Sequence, residues 1–105
     1  MNVILSIDTS DNKEIKVGLT IEGKEYLLQK PLDRQKAQVV LPLLDELLKE
    51  HGLKLQNITA ITVNPGPGSF TGLRVGVTIA NTLGFLLHVP INGKALGELI
   101  EPVYK

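Results

Sequence analysis

The hydrophobic period of this chain changes partway along it, and that change limits the fold more than any other feature. Ile15, Val17, Leu19 and Ile21 alternate with Lys16, Gly18, Thr20 and Glu22, the period of a strand buried on one face. From about Asp33 onward the apolar residues Val40, Leu43, Leu44, Leu47 and Leu48 recur at helical spacing, and Gly52 supplies the stop. A chain that switches from the first period to the second must combine sheet and helix in one core.

The flanking segments extend the pattern. Val3-Ile4-Leu5-Ser6-Ile7 is a short apolar run stopped by Asp8-Thr9-Ser10-Asp11, which predicts a central strand covered on both sides. Gly23 permits a tight turn into Glu25-Tyr26-Leu27-Leu28-Gln29, and Pro31 closes that third strand. Asp33 is the expected N-cap of the first helix, and Pro42 inside that helix should bend its axis. Ile58 to Val63 predicts a fourth strand, Leu73 to Leu87 a second helix, Val89-Pro90-Ile91 a short fifth strand, and Ala95 to Ile100 a last helical turn or two. The expected whole is an α/β unit over residues 1–105, a mixed five-stranded sheet with three helices on its faces.

At 105 residues the chain can bury roughly two-thirds of its unfolded surface, enough for a core but short for two lobes closing on a substrate. Lysine plus arginine equals aspartate plus glutamate at 11 each, so no long-range field draws in nucleic acid or an anionic membrane. There is no cysteine, which excludes disulfides, thiolate catalysis and cysteine-based zinc sites. His51 and His88 are too few and too far apart in sequence for a metal cluster, and no His-Glu-x-x-His is present. The N-terminus lacks the basic region of a signal peptide, and no apolar run approaches a membrane span. The expectation is a soluble, cytoplasmic protein.

Two loops could carry chemistry. Asp8 and Ser10 stand at the carboxyl end of the first strand, where ligands sit in α/β sheets and a carboxylate can hold hydrated magnesium. With one aspartate and no acidic partner, a polar turn that satisfies backbone amides is the stronger reading. The second loop, Asn64 to Gly72, joins a strand to a helix N-terminus, where free amides favour an anion. Gly66, Gly68, Ser69 and Thr71 are its candidate phosphate contacts. Its spacing matches neither the dinucleotide fingerprint nor the phosphate loop of nucleotidases, and no lysine reaches over it. A rigid connector capped by Ser69 or Thr71 explains it equally well.

The second helix is too apolar for a surface helix covering one neighbour. Leu73, Val75, Val77, Ile79, Ala80, Leu83, Leu86 and Leu87 spread over an arc of roughly 200°, where one packed face needs about 100°. Gly76, Ala80 and Gly84 form a row of small residues that would let another helix approach closely. The first helix is similarly broad, with Val39 and Leu41 on opposite margins of its stripe. The expected partner surface is therefore Val39, Leu43 and Leu47 on the first helix with Leu73, Gly76, Val77, Ala80, Leu83 and Gly84 on the second.

Three stretches, Ile4-Leu5-Ser6-Ile7-Asp8-Thr9-Ser10, Leu41-Pro42-Leu43-Leu44-Asp45-Glu46-Leu47-Leu48 and Pro65-Gly66-Pro67-Gly68-Ser69-Phe70-Thr71-Gly72-Leu73-Arg74-Val75-Gly76-Val77, together resemble the TsaB (YeaZ) family of tRNA threonylcarbamoyladenosine biosynthesis. The loop motif is specific to that family and its relatives; the Asp-Thr-Ser strand end is common to the wider actin-like ATPase and sugar-kinase superfamily. The resemblance covers essentially the whole chain but only the N-terminal subdomain of a typical member. Where members commonly carry His-Ser-Glu before the Leu-Pro, this chain has Lys36-Ala37-Gln38.

The resemblance implies a ribonuclease-H-like subdomain and a non-catalytic subunit that binds the TsaD catalytic subunit through its first two helices. It further implies a TsaE ATPase in the same complex, self-pairing when alone, tRNA reached only through the complex, no membrane and no resident cofactor. ATP and magnesium would bind weakly at most, at a partner interface. The alternative is one lobe of an ATP-binding phosphotransferase of the actin-like superfamily, which a single lobe cannot close into a reactive site. A glycoprotease-type peptidase is weaker still, since no nucleophile, histidine and carboxylate set stands out.

Overall fold

The computed structural model describes residues 1–11, 13–31, 36–68 and 70–103, and for residues 36–39 and 70 the backbone alone. The expected N-cap Asp33 lies outside the described residues. The elements run β1 (Val3–Asp8), β2 (Glu14–Ile21), β3 (Lys24–Pro31), α1 (Lys36–Glu50), a 3-10 turn at Leu55–Asn57, β4 (Ala60–Val63) and α2 (Phe70–Leu87).

The strands lie in the order β3-β2-β1-β4. β1 pairs antiparallel with β2 from Val3↔Ile21 to Asp8↔Lys16, and parallel with β4 from Ile4↔Ala60 to Ile7↔Val63. A two-residue turn at Glu22 and Gly23, both at positive φ, closes the β2–β3 hairpin and fixes its register at Ile21↔Lys24. The parallel β1–β4 pair needs a long crossover, which α1 supplies. α1 ends as expected at Gly52: the Leu53 amide donates to the Leu48 carbonyl at 2.9 Å and the Gly52 amide to Lys49 at 3.1 Å, closing off its last carbonyls.

Both helices lie on one face of the sheet. Val3, Leu5, Ile7, Ile15, Val17, Leu19, Ile61 and Val63 join Val40, Leu43, Leu44, Leu47, Leu48, Val77, Ala80 and Leu83 in one buried cluster. The expectation that β1 is covered on both sides is corrected: its burial alternates, with Ile4, Ser6 and Asp8 only partly covered. Ser6 pairs with Gly18 and with Thr62, so that face is floored by small and polar residues that water can cover.

The expected fifth strand is reduced to a single parallel bridge, Ile61↔Ile91. The reason lies in the next residue. Asn92 turns away at φ 53°, and its side chain takes over the pairing: Val63 N–H donates to Asn92 Oδ1 at 2.8 Å, and Asn92 Nδ2 donates to the Val63 carbonyl at 3.0 Å. The expected helical turns at Ala95 to Ile100 are isolated turns, since Gly97 sits at φ 86°, which no helix accepts. Among the described residues the sheet therefore has four strands, with two α-helices on it.

Candidate functional site

The ends of β1 and β4 meet in a polar turn. Asp8 Oδ1 accepts hydrogen bonds from the Ser10 amide at 3.0 Å and the Ser10 hydroxyl at 2.6 Å. Asn64 Nδ2 donates to Ser10 Oγ at 3.1 Å and reaches Asp8 Oδ2 at 3.4 Å, while Asn64 Oδ1 accepts from the Gly66 amide at 2.9 Å. Burial pushes the Asp8 carboxyl up, but the Ser10 hydroxyl and amide, Asn64 and the positive charge of Lys16 outweigh it and hold the group below its ordinary value. Asp8 is thus a carboxylate already surrounded by donors.

Thr9, between them, is fully buried, and its hydroxyl donates to the Gly72 carbonyl at 2.5 Å in the first turn of α2. Gly76, one turn on, lacks the side chain that would run into the Thr9 hydroxyl. The glycines of the loop serve close approach in the same way. A side chain at Gly68 would meet the Ser10 carbonyl at 2.7 Å, and one at Gly66 would run into the Val103 carbonyl. The positions left open by these missing side chains are occupied by Thr9, Ser10 and Val103. Ser69 lies outside the described residues, and Thr71 faces solvent on α2, on the edge of a groove. Asn64 and Thr9, which tie this site together, were not singled out in the sequence; the signal available was their position flanking a strand end and a proline-glycine run.

The row Gly76, Ala80 and Gly84 faces the sheet. Ala80 is 0% exposed, Gly76 abuts Thr9, and a side chain at Gly84 would meet Ile91 Cδ1 at 2.5 Å. Leu43, Leu47, Val77 and Leu83 are buried in the same core, and Leu73 is fully buried near Gly66. The expected partner surface is corrected on all eight of these residues, because a side chain used in the chain's own core is not available to another; the side chain of Val39 lies outside the described residues. Small residues permit close helix–sheet packing as readily as close helix–helix packing, and sequence spacing does not separate the two.

What α2 turns outward is different. Arg74 is the only charge among its 18 residues. The exposed positions carry Thr71, Thr78, Thr82, Phe85 and Leu86, with Phe85 73% and Leu86 64% exposed, and Val75 and Ile79 lie half-buried against the core at their margin. Thr71, Arg74, Val75, Thr78 and Ile79 line an open groove of about 380 Å³. α1 presents Leu41, 51% exposed, beside the charged Asp45, Glu46, Lys49 and Glu50. His51 packs its ring on Tyr26 with centroids 4.1 Å apart, and its Nδ1 lies 2.9 Å from the Leu47 carbonyl. Among the described residues no three of the His, Asp and Glu side chains gather where they could hold a metal, and no helix is long and apolar enough to cross a membrane.

A model of the TsaD family, described as tRNA N6-adenosine threonylcarbamoyltransferase, matches residues 30–93, from the end of β3 through α2 to the Ile91 bridge. The chain is 36% identical over 88 residues to the tRNA threonylcarbamoyladenosine biosynthesis protein TsaB of Haemophilus influenzae, covering 84% of this chain and 37% of that protein. It is 34% identical over 115 residues to the protein of the same name from Bacillus subtilis, covering 96% of this chain and 49% of that one. The structure of YeaZ from Pseudomonas aeruginosa superimposes with a TM-score of 0.81 at 35% identity, over 87% of this chain and 42% of that one. The chain spans half or less of the length of these relatives. With the family match covering more than half of its residues, this chain belongs to the TsaD family, in its TsaB (YeaZ) branch.

Proposed function

We infer that this chain is a non-catalytic subunit of tRNA threonylcarbamoyladenosine biosynthesis, built as one ribonuclease-H-like subdomain of the actin-like superfamily and acting by docking. The partner is a TsaD-type catalytic subunit, with a TsaE-type ATPase in the same assembly and tRNA reached through the complex; alone, the chain pairs with a second copy. It works in the cytoplasm and carries no resident cofactor, and phosphate binding at Gly66 to Gly72 is weak at most.

One observation carries the docking reading. The exposed side of α2 has a single charge, Arg74, among Thr78, Thr82, Phe85 and Leu86, with Val75 and Ile79 half-buried at its margin. A helix face meant for water carries charged residues at such positions. Against a nucleotide at the glycine loop stand Val103 and Ser10, which pack against Gly66 and Gly68, and the donors already placed on Asp8.

The test is Phe85→Glu with Leu86→Glu, compared with the unaltered chain for binding to a TsaD-type subunit by titration. The unaltered chain should bind, and the double variant should lose at least tenfold in affinity, about 1.4 kcal/mol, while keeping its melting temperature within a few degrees. No binding by the unaltered chain, or equal binding by the variant, would overturn the assignment.

A further inference from the structure

The segment after Asn92 carries no regular secondary structure, yet it is fastened at two points to the elements that precede and form α2. At the first, Asn81 on α2 offers both halves of its side-chain amide to one residue. Asn81 Nδ2 donates to the Ile100 carbonyl at 2.9 Å, and the Ile100 amide donates to Asn81 Oδ1 at 2.9 Å, the exchange that a neighbouring strand would make. At the second, the Val103 amide donates to the Pro65 carbonyl at 2.6 Å, and the Val103 carbonyl lies over Gly66 where any side chain would clash. Of the large aliphatic side chains in this segment, one is committed to the core. Ile100 is 5% exposed and joins the core, whereas Leu96, Leu99 and Val103 remain exposed.

A segment held by a few hydrogen bonds and one buried side chain has a low local opening free energy compared with the sheet beneath it. Its attachment points are placed for consequence. Pro65 and Gly66 begin the connection that enters α2 at Phe70, and Thr71, Arg74 and Val75 in the first turns of α2 line the outer groove. Gly66 also lies beside Leu73, the first large core residue of α2. Loss of the Val103 contact frees the Pro65 carbonyl and uncovers Gly66, leaving the entry to α2 held by Thr9 and Ser10 after β1 and by Asn64 after β4.

We propose that Ile100 to Val103 form a releasable strap that fixes the Gly66–Gly72 connection and the first turns of α2, and so controls the outer groove through which the chain docks. The consequence for docking rests on the function inferred above; the strap itself does not. It acts by positioning, since none of its atoms lies among the residues that line the groove.

Amide hydrogen exchange on the intact chain tests the strap, with Asn81→Ala and Val103→Pro as the variants. Asn81→Ala removes both halves of the first clamp. Exchange at Ile100 and Val103 should accelerate about tenfold or more, with a several-fold rise at Gly66 and Gly72 to Val75 and none in β1, β2 or α1. Val103→Pro removes one donor at an exposed position and leaves Asn81 in place. There the loop amides should accelerate while Ile100 stays protected, which keeps the test decisive if Asn81→Ala fails to fold. Faster strap exchange with an unchanged loop would make the segment a passive attachment and overturn the proposal, as would no change in either variant. In a parallel titration with a TsaD-type subunit, Val103→Pro should weaken binding several-fold; unchanged affinity despite a loosened loop would overturn the control of docking. An unaltered chain that binds no such subunit would count against the docking function alone, and the exchange data would still judge the strap.

Discussion

Helix α1 turns Val40, Leu43, Leu44, Leu47 and Leu48 toward the sheet, whereas α2 turns Gly76, Ala80 and Gly84 toward it with Leu73, Val77 and Leu83 alongside. The outward faces reverse the contrast. α1 shows water Asp45, Glu46, Lys49 and Glu50, with an ion pair between Lys49 and Asp45 at 3.0 Å, while α2 shows Thr78, Thr82, Phe85 and Leu86. α1 is thus an ordinary amphipathic helix that gains its stability by burying large side chains on one side. α2 sits close against the end of β1 and the Ile91 bridge by omitting side chains at Gly76 and Gly84, and leaves Phe85 and Leu86 on the outside. Breadth of an apolar arc does not by itself reveal which side of a helix faces the core.

The sharpest way to break this comparison is to exchange the two inner plans. Leu47→Ala in α1 should leave a cavity and cost about 2–5 kcal/mol, read as a lowered midpoint in a denaturant titration. Ala80→Leu in α2 should fail for the opposite reason, by overpacking, and cost about 1–3 kcal/mol, a fall of several degrees in thermal melting. If Ala80→Leu left the melting temperature unchanged, the inward orientation of the small-residue row would be wrong.

A smaller effect separates the helices by pH. The entry to α2 is braced by Asp8, whose folded-state pKa lies below its ordinary value, so the carboxylate is the form that the fold prefers. The stabilisation from such a group is complete above its unfolded pKa of about 3.9 and is lost as pH falls through the folded value. Acid should therefore loosen the Gly66–Gly72 connection before α1, and Asp8→Asn should remove the difference; exchange measured between pH 5 and 3 reads it. The smallest effect belongs to the outside of α1. Asp45→Ala gives up an exposed i,i+4 pair and should change stability by no more than about 0.5 kcal/mol, nearly vanishing in high salt.

Much of this molecule was legible in its sequence. Alternation at Ile15 to Ile21, the helical recurrence from Val40 to Leu48, and the stop at Gly52 give the hairpin strand, α1 and its cap, since each depends on contacts within a few residues. The family, too, could be read from the Gly66–Val77 run and the Asp8-Thr9-Ser10 strand end. One boundary was not. The fifth strand shrank because the Asn92 side chain replaced backbone pairing, and no local preference distinguishes an asparagine that turns the chain from one that also finishes a sheet edge.

The direction in which α2 faces was decided only by tertiary structure. Its sequence fixes the helix and the two opposed sets of residues, one small and one apolar, but either set could in principle face a neighbour. Thr9 and Ile91, distant in sequence from each other, come to occupy the space at Gly76 and Gly84, and that places the small row inward and Phe85 and Leu86 outward. Side-chain period reports which residues share a face. Which face is buried depends on what the rest of the chain brings to it, because close packing is a property of two surfaces and a sequence pattern describes one.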